Sequence, residues 1–284
     1  VKKKILVLGS TGCLGTSLEK IIKSENIFSY KGCTHKDVEL TNTKNLTKII
    51  NKFKPSVIIN TVALIGINYC EQNPEKTMKV NAFSVFELAK ICKSKNITLV
   101  QISTHAVFDG EMRRPYNEKD KPNPINIYAY SKLISEYFVK LNLKKYFIFR
   151  CPTMYGPRRN KSLGFADKMI IKMQKGETLK IAHDRMDSPS YALNISKKLI
   201  KIIKGRKYGT YHLSDHGYVS YYNFIKQLGK EIGFKGKILK AKHNSFPALA
   251  PNPLRAAMTS LKGGTGVIWK KALKMYVKDE NIKC

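Results

Sequence analysis

The sequence predicts an α/β fold, a doubly wound parallel sheet followed by a smaller C-terminal α/β lobe. Short β-branched runs alternate with amphipathic stretches through the first two-thirds of the chain, the pattern of strand–helix–strand units. A glycine-rich turn, Gly9-Ser10-Thr11-Gly12-Cys13-Leu14-Gly15, joins the first such run to the first helical stretch. Beyond Arg150 proline and glycine become denser and the alternation loosens, which marks a change of architecture. At 284 residues and 43% hydrophobic, the chain can bury one such domain with an appended lobe.

The elements follow in order. Strands are expected at 5–8, 28–33, 56–60, 98–103 and 146–150. Helix-patterned stretches lie between them at 43–53, 71–94 and 129–143; in the last, Leu133, Ile134, Tyr137, Phe138 and Leu141 recur at helical spacing. Further helices are expected at 164–175, 191–204 and 220–233, separated by loops. Residues 1–155 then form a dinucleotide-binding domain, with a returning segment near 190–214, and 156–284 form mainly a substrate-binding lobe.

Composition narrows the function classes. No run of eighteen apolar residues exists, so no membrane span is expected. Val1-Lys2-Lys3-Lys4 passes into an apolar run too short for a signal-peptide core, and a cytoplasmic location is expected. Six cysteines are scattered without a CxxC pair, which reads as free thiols in a reducing compartment. Asp184 and Asp187 lack a third ligand at usable spacing, so no metal is expected. The formal charge of +32 would suit a nucleic-acid binder. The lysines are spread singly or in pairs, with no basic tail and no glycine–aromatic signature, which argues against nucleic acid. A polyanionic cofactor and a diphosphate substrate tolerate the same field.

In the glycine-rich turn the first glycine permits a tight turn and the second admits a pyrophosphate close to the backbone. The third allows close helix–strand packing. The helix start then presents amides to the phosphates, with a dipole that favours negative charge. Gly9, Thr11, Gly12, Cys13, Leu14 and Gly15 are therefore candidate cofactor ligands. The second strand ends Cys33-Thr34-His35-Lys36, without an acid until Asp37. An acid there would take a ribose, whereas a cation accommodates a 2′-phosphate. His35 and Lys36 are thus read as phosphate partners and the cofactor as NADP(H), with NAD(H) the open alternative and Lys36 as solvated surface the competing reading.

Ketone reduction needs a proton donor beside the developing alkoxide. Tyr128 and Lys132 form a YxxxK pair that places a phenol and an ammonium one helical turn apart, where the cation favours phenolate. With 15 tyrosines in so lysine-rich a chain the motif is cheap, and Tyr222 with Lys226 forms a second copy. Context separates them. Tyr128 follows the fourth strand, whose end, Ser103-Thr104-His105, puts hydroxyls at the carboxyl edge of a parallel sheet, where such sheets bind ligands. Tyr222 sits among Phe224, Ile225 and Leu228 and reads as packing.

The order GSTGCLG, STHAVFDG, YAYSK, RCPTMYGP resembles the extended short-chain dehydrogenase/reductases, with their Rossmann-type sheet. Finer matches resemble the dTDP-4-dehydrorhamnose reductase family: Val80-Asn81-Ala82, Val107-Phe108-Asp109-Gly110, Asn123-Pro124, Asp187-Ser188-Pro189-Ser190-Tyr191, Tyr211-His212-Leu213-Ser214 and Trp269. They run through almost the whole chain. The resemblance implies that Thr104 orients the ketone, Tyr128 supplies the proton, and Lys132 holds the nicotinamide ribose and tunes Tyr128. It implies that Asn60, Thr61, Val62 and Ala63 line the cofactor cleft, and that His105, Ala106, Val107, Phe108 and Thr153 meet the substrate, a nucleotide sugar. It also implies 4-keto reduction in dTDP-rhamnose and polysaccharide biosynthesis. An epimerase, a bifunctional epimerase-reductase and a non-catalytic NADP-binding regulatory subunit are the alternatives, and a homodimer is compatible.

The sequence departs from the family in the sugar pocket. The family reads STDYVFDG where this chain has His105-Ala106, carries Trp at the position of Thr153, and has Arg-Arg-Pro where this chain has Pro251-Asn252-Pro253. Two aromatic walls are lost, and Met154, Tyr130 and Tyr155 are the neighbours expected to refill the space. Arg150, Arg158, Arg159 and Arg185 are candidates to clamp the diphosphate. His105 is a candidate further acid–base, with a structural hydrogen-bonding role as the competing reading. Cys151 has no visible activating base.

Overall fold

The computed structural model describes residues 2–160, 162–264 and 266–284. The chain begins β1 (Lys3–Leu8), α1 (Cys13–Ser24), β2 (Phe28–Cys33), α2 (Thr43–Phe53) and β3 (Val57–Asn60). There follow α3 (Ile67–Gln72), α4 (Pro74–Met78), a π-helical turn at Lys79–Phe83, α5 (Ser84–Ser94) and β4 (Thr98–Thr104). A 3₁₀ turn at His105–Val107 leads to α6 (Ile127–Asn142), β5 (Tyr146–Cys151) and β6 (Met154–Tyr155). The remainder holds α7 (Phe165–Gln174), β7 (Leu179–Ala182), β8 (Met186–Asp187), β9 (Ser190–Tyr191) and α8 (Ala192–Gly205). It ends with β10 (Gly209–His212), β11 (Val219–Ser220), α9 (Tyr221–Ile232), β12 (Ile238–Ala241) and α10 (Trp269–Asp279).

The main sheet has six strands in the order β10-β5-β4-β3-β1-β2, all parallel. Its central strands read as largely apolar runs because both faces are covered, whereas the edge strands β2 and β10 do not. Successive side chains enter opposite cores. Ile5, Val7, Val57, Ile59, Val100, Phe147 and Phe149 face one side, packed under α1 and α8. Leu6, Leu8, Ile58, Leu99 and Ile148 face the other, under α2 and α5. The strand order reverses between β1 and β3, so the carboxyl edge opens into a crevice there.

Two expected elements differ. The stretch 71–94 is broken into α3, α4, the π-turn and α5, because Pro74 starts a new helix and one extra residue is inserted at Lys79–Phe83. That insertion serves the site: Asn81 Oδ1 accepts from the Leu64 amide at 2.8 Å, and its Nδ2 donates to Leu64 O at 2.9 Å and Ser131 Oγ at 3.1 Å. The loop after β3 is thereby fastened to α6. The second difference is α10, which the sequence reading omitted; Trp269, Ala272, Leu273, Tyr276 and Val277 are its buried stripe. No helix among the described residues is long and apolar enough to cross a membrane.

Candidate active site

A cleft of about 2050 Å³ runs from the glycine-rich turn, past the ends of β3, β4 and β5, to β7 and the 243–252 segment. Single-ligand pockets measure roughly 300–1000 Å³, so there is room for two extended ligands side by side.

The turn after β1 is set by its neighbours. Gly9 has φ +81°, and its amide and that of Ser10 donate to Cys33 O at 2.9 and 3.1 Å. A Cβ at Gly15 would lie 2.3 Å from Gly9 O, so only glycine lets α1 start this close to β1. Gly12 caps α1 without a side-chain bond, which leaves the first-turn amides turned to the cleft. From the C-terminal lobe, the Arg159 and Asn160 amides donate to Thr11 O at 2.9 and 3.2 Å and latch the loop. Thr61 Oγ1 donates to Leu8 O at 2.7 Å, holding the β3 loop opposite.

Most expected ligands reach the cleft: Gly9, Thr11, Gly12, Cys13, Leu14, Gly15, His35, Thr61, Val62, Ala63, Thr104, His105, Ala106, Tyr128 and Thr153 all line it. Others do not. Asn60 is fully buried beneath the cleft, donating to Gln101 Oε1 at 2.9 Å and accepting from the Val62 amide at 3.1 Å; it shapes the loop. Lys36 is exposed outside the cleft, while Glu39, an acid that the sequence reading passed over, lines it. Val107 and Phe108 correct the expectation of substrate contact. The 3₁₀ turn swings them into a separate core with Tyr116 and Met258, where Phe108 stacks on Tyr116 at 4.2 Å, so only Thr104-His105-Ala106 stay on the wall.

Tyr128 and Thr104 stand together on that wall. Burial pushes the Tyr128 phenol up to about 12, with the Thr104 hydroxyl pulling the other way. Lys132, expected to lower that phenol and to hold the ribose, does not line the cleft; the phenol is held protonated, the form a proton donor needs. Lys132 is 2% exposed, and burial lowers its ammonium to about 8 although the Glu136 carboxylate opposes the shift. Glu136 is itself fully buried, accepting from Ser103 Oγ at 2.6 Å and from Arg150 Nε and Nη2 at 2.9 and 2.7 Å. Arg150 is thus consumed by Glu136 and does not clamp a ligand.

Of the other arginines, Arg158 pairs with Asp167 at 2.9 Å and Arg159 with Glu19. Arg185 lines the cleft, its guanidinium 4.8 Å from the Tyr221 ring centre. Burial raises the Cys151 thiol to about 12, which keeps it inert. Among the neighbours expected to refill the sugar pocket, Tyr130 is half exposed on α6 and Tyr155 packs on Tyr191 and Phe224 in the core. Met154 lines the cleft, and so does Tyr221, which no pattern in the sequence singled out.

Comparison with known proteins gives the family and agrees with the fold. Residues 3–282 match the family described as the RmlD substrate binding domain. The chain is 25% identical over 285 residues to the spore coat polysaccharide biosynthesis protein SpsK of Bacillus subtilis, covering 99% of both chains. The crystal structure of a dTDP-4-dehydrorhamnose reductase from Clostridium acetobutylicum is 31% identical, with a TM-score of 0.92 over 98% of this chain and 99% of that one. The Bacillus anthracis dTDP-4-dehydrorhamnose reductase, solved in complex with NADP, is 26% identical with a TM-score of 0.93, covering 98% and 100%.

Proposed function

This chain belongs to the RmlD substrate binding domain family, and on that premise we propose that it is an NADPH-dependent reductase of the 4-keto group of a nucleotide-activated 6-deoxyhexose, like the dTDP-4-dehydrorhamnose reductases. The observation that carries this reading is the pairing of Thr104 with a protonated Tyr128 on the wall of a cleft whose other end is the glycine-rich turn. The amide-lined start of α1 and the close Gly9–Gly15 approach suit a dinucleotide pyrophosphate.

A reduced nicotinamide supplies a hydride when bound. The chain's own residues do the rest. Thr104 holds the ketone oxygen, and Tyr128 donates its proton to that oxygen as charge develops there. Lys132, buried one turn further along α6, is the cation that would stabilise the phenolate left behind. Residues 1–155 serve the cofactor, and the later residues mainly the sugar nucleotide. The test is incubation with NADPH and a panel of NDP-4-keto-6-deoxyhexoses, following cofactor oxidation and identifying the alcohol by NMR. Reduction of none of them overturns the proposal.

Two further outcomes are expected. NADPH binds more tightly than NADH, since the turn after β2 brings His35 to the cleft where a 2′-phosphate would lie, with Lys36 next to it in sequence. Titration of both cofactors against wild type, His35→Ala and Lys36→Ala checks this; tighter NADH binding would assign the ribose to Glu39 instead. The second concerns pH. Lys132 is protonated below its value of about 8 and neutral above it. The value of kcat/KM for reduction, which reports the free enzyme, should therefore fall above pH 8 in wild type, by about tenfold per unit at the limit. In Lys132→Arg, which stays charged, the limb should be absent.

A further inference from the structure

Tyr221 opens α9, and its hydroxyl is tied to two separate segments of the chain. It donates to Asp187 Oδ2 at 3.2 Å and lies 3.1 Å from Thr153 Oγ1. Since its one proton goes to the carboxylate, the bond from Thr153 must run the other way, with the threonine donating. Asp187 is 3% exposed, and its Oδ1 accepts from the Ser188 amide at 2.7 Å. The ring is gripped as well: the Arg185 guanidinium covers it at 4.8 Å, and Phe165 meets it edge-on at 4.9 Å. Arg185 is fixed in turn by Asn252 Oδ1.

His105 completes the group from the other domain. Its Nδ1 is 3.1 Å from Cys151 O, a carbonyl that can only accept, so Nδ1 donates and the ring is held in place. Nε2 lies 3.7 Å from Asp187 Oδ2, beyond hydrogen-bond reach. One lone pair of the Tyr221 oxygen is left without a donor among the described residues, and Tyr221 and His105 both line the cleft. His105 follows Thr104 directly, so whatever Tyr221 and His105 meet together lies beside the ketone.

We propose that Tyr221, aligned by Thr153 and Asp187 and acting with His105, is the specificity-determining residue of this site, and that it reads a hydroxyl donor on the hexose carbon next to the ketone. The inference rests on the reductase reading above and deepens it. Thr153 is part of the same unit: its hydroxyl aims Tyr221, and its small side chain leaves the ring its place.

The experiment compares two probes, a dTDP-4-keto-6-deoxyhexose bearing the neighbouring 3-hydroxyl and its 3-deoxy counterpart. The kcat/KM ratio and the Kd ratio are measured for NADP-loaded wild type, Tyr221→Phe, Thr153→Val and the double variant. The expected result is that wild type favours the hydroxylated sugar and that each single variant cuts that preference about tenfold or more. The double variant should be no worse than the singles, because both act on one hydrogen bond, and the 3-deoxy sugar should be nearly unaffected. Equal losses on both sugars, or an unchanged ratio, overturn the inference and leave Tyr221 a packing residue. If wild type reduces neither sugar, the proposed reaction fails, and the inference stands or falls on the Kd ratio alone.

Discussion

Tyr128→Phe is expected to lower kcat for ketone reduction by about 10²–10⁴-fold, the usual contribution of a positioned general acid, while the Kd for NADPH stays within about twofold. Only the hydroxyl is removed, and the ring keeps its place on the cleft wall beside Thr104. The identical substitution at Tyr222, the other tyrosine with a lysine four residues on, should change kcat by no more than about twofold, because it lies outside the cleft and its ring keeps its packing. Tyr222 is half-buried on α9, with the Lys240 ammonium 5.4 Å from its ring centre, and it does not line the cleft. Single-turnover kinetics with the two variants decide the matter. Equal losses would mean that the sheet edge does not select between the two motifs.

The same contrast explains what was legible in the sequence and what was not. The parallel strands were readable because a strand covered on both faces needs apolar residues at every position, and Ile5 to Leu8 or Phe147 to Phe149 leave no other reading. The glycine-rich turn was readable because backbone geometry forces its residue type. Strands of two residues, such as Met186–Asp187 and Val219–Ser220, carry no period and are defined by pairing with distant segments. The stripe in α10 was present at helical spacing but was masked by the lysines between its buried residues. Val107 and Phe108 were expected at the substrate because the resemblance to the reductase family implied it. A single 3₁₀ turn is enough to send neighbours to opposite sides of a wall. Tyr221 was invisible for the converse reason: it is far from His105 and Thr153 in sequence, and only the docking of the lobe brings them together. Groups on one strand edge and one helix can be read from spacing, whereas groups that meet from distant stretches of the chain cannot.

The largest loss of stability is expected at Glu136 and Arg150, which are 0% and 3% exposed and joined by two hydrogen bonds. Glu136→Ala leaves a buried guanidinium and the Ser103 hydroxyl without their acceptor, and breaking such a pair costs about 3–5 kcal/mol. The double variant Glu136→Leu, Arg150→Met removes both charges and should be less destabilised than Glu136→Ala, as denaturant unfolding would show. Burial pushes the Glu136 carboxyl up, but Arg150, Ser103 and Lys140 outweigh it and hold it below its ordinary value. With the folded value the lower one, the pair's contribution is complete above the unfolded carboxylate value and is lost as pH falls through the folded one. Glu136→Gln should accordingly flatten the acid limb of stability against pH. It should also act on catalysis through Lys132, one turn back on α6, whose ammonium Glu136 favours. With that anion gone, the basic limb of kcat/KM should move to lower pH, while Lys132→Arg in the same background should restore a flat profile. A basic limb that stays where it was in Glu136→Gln would mean that burial alone sets Lys132, and that Glu136 serves the fold and not the reaction.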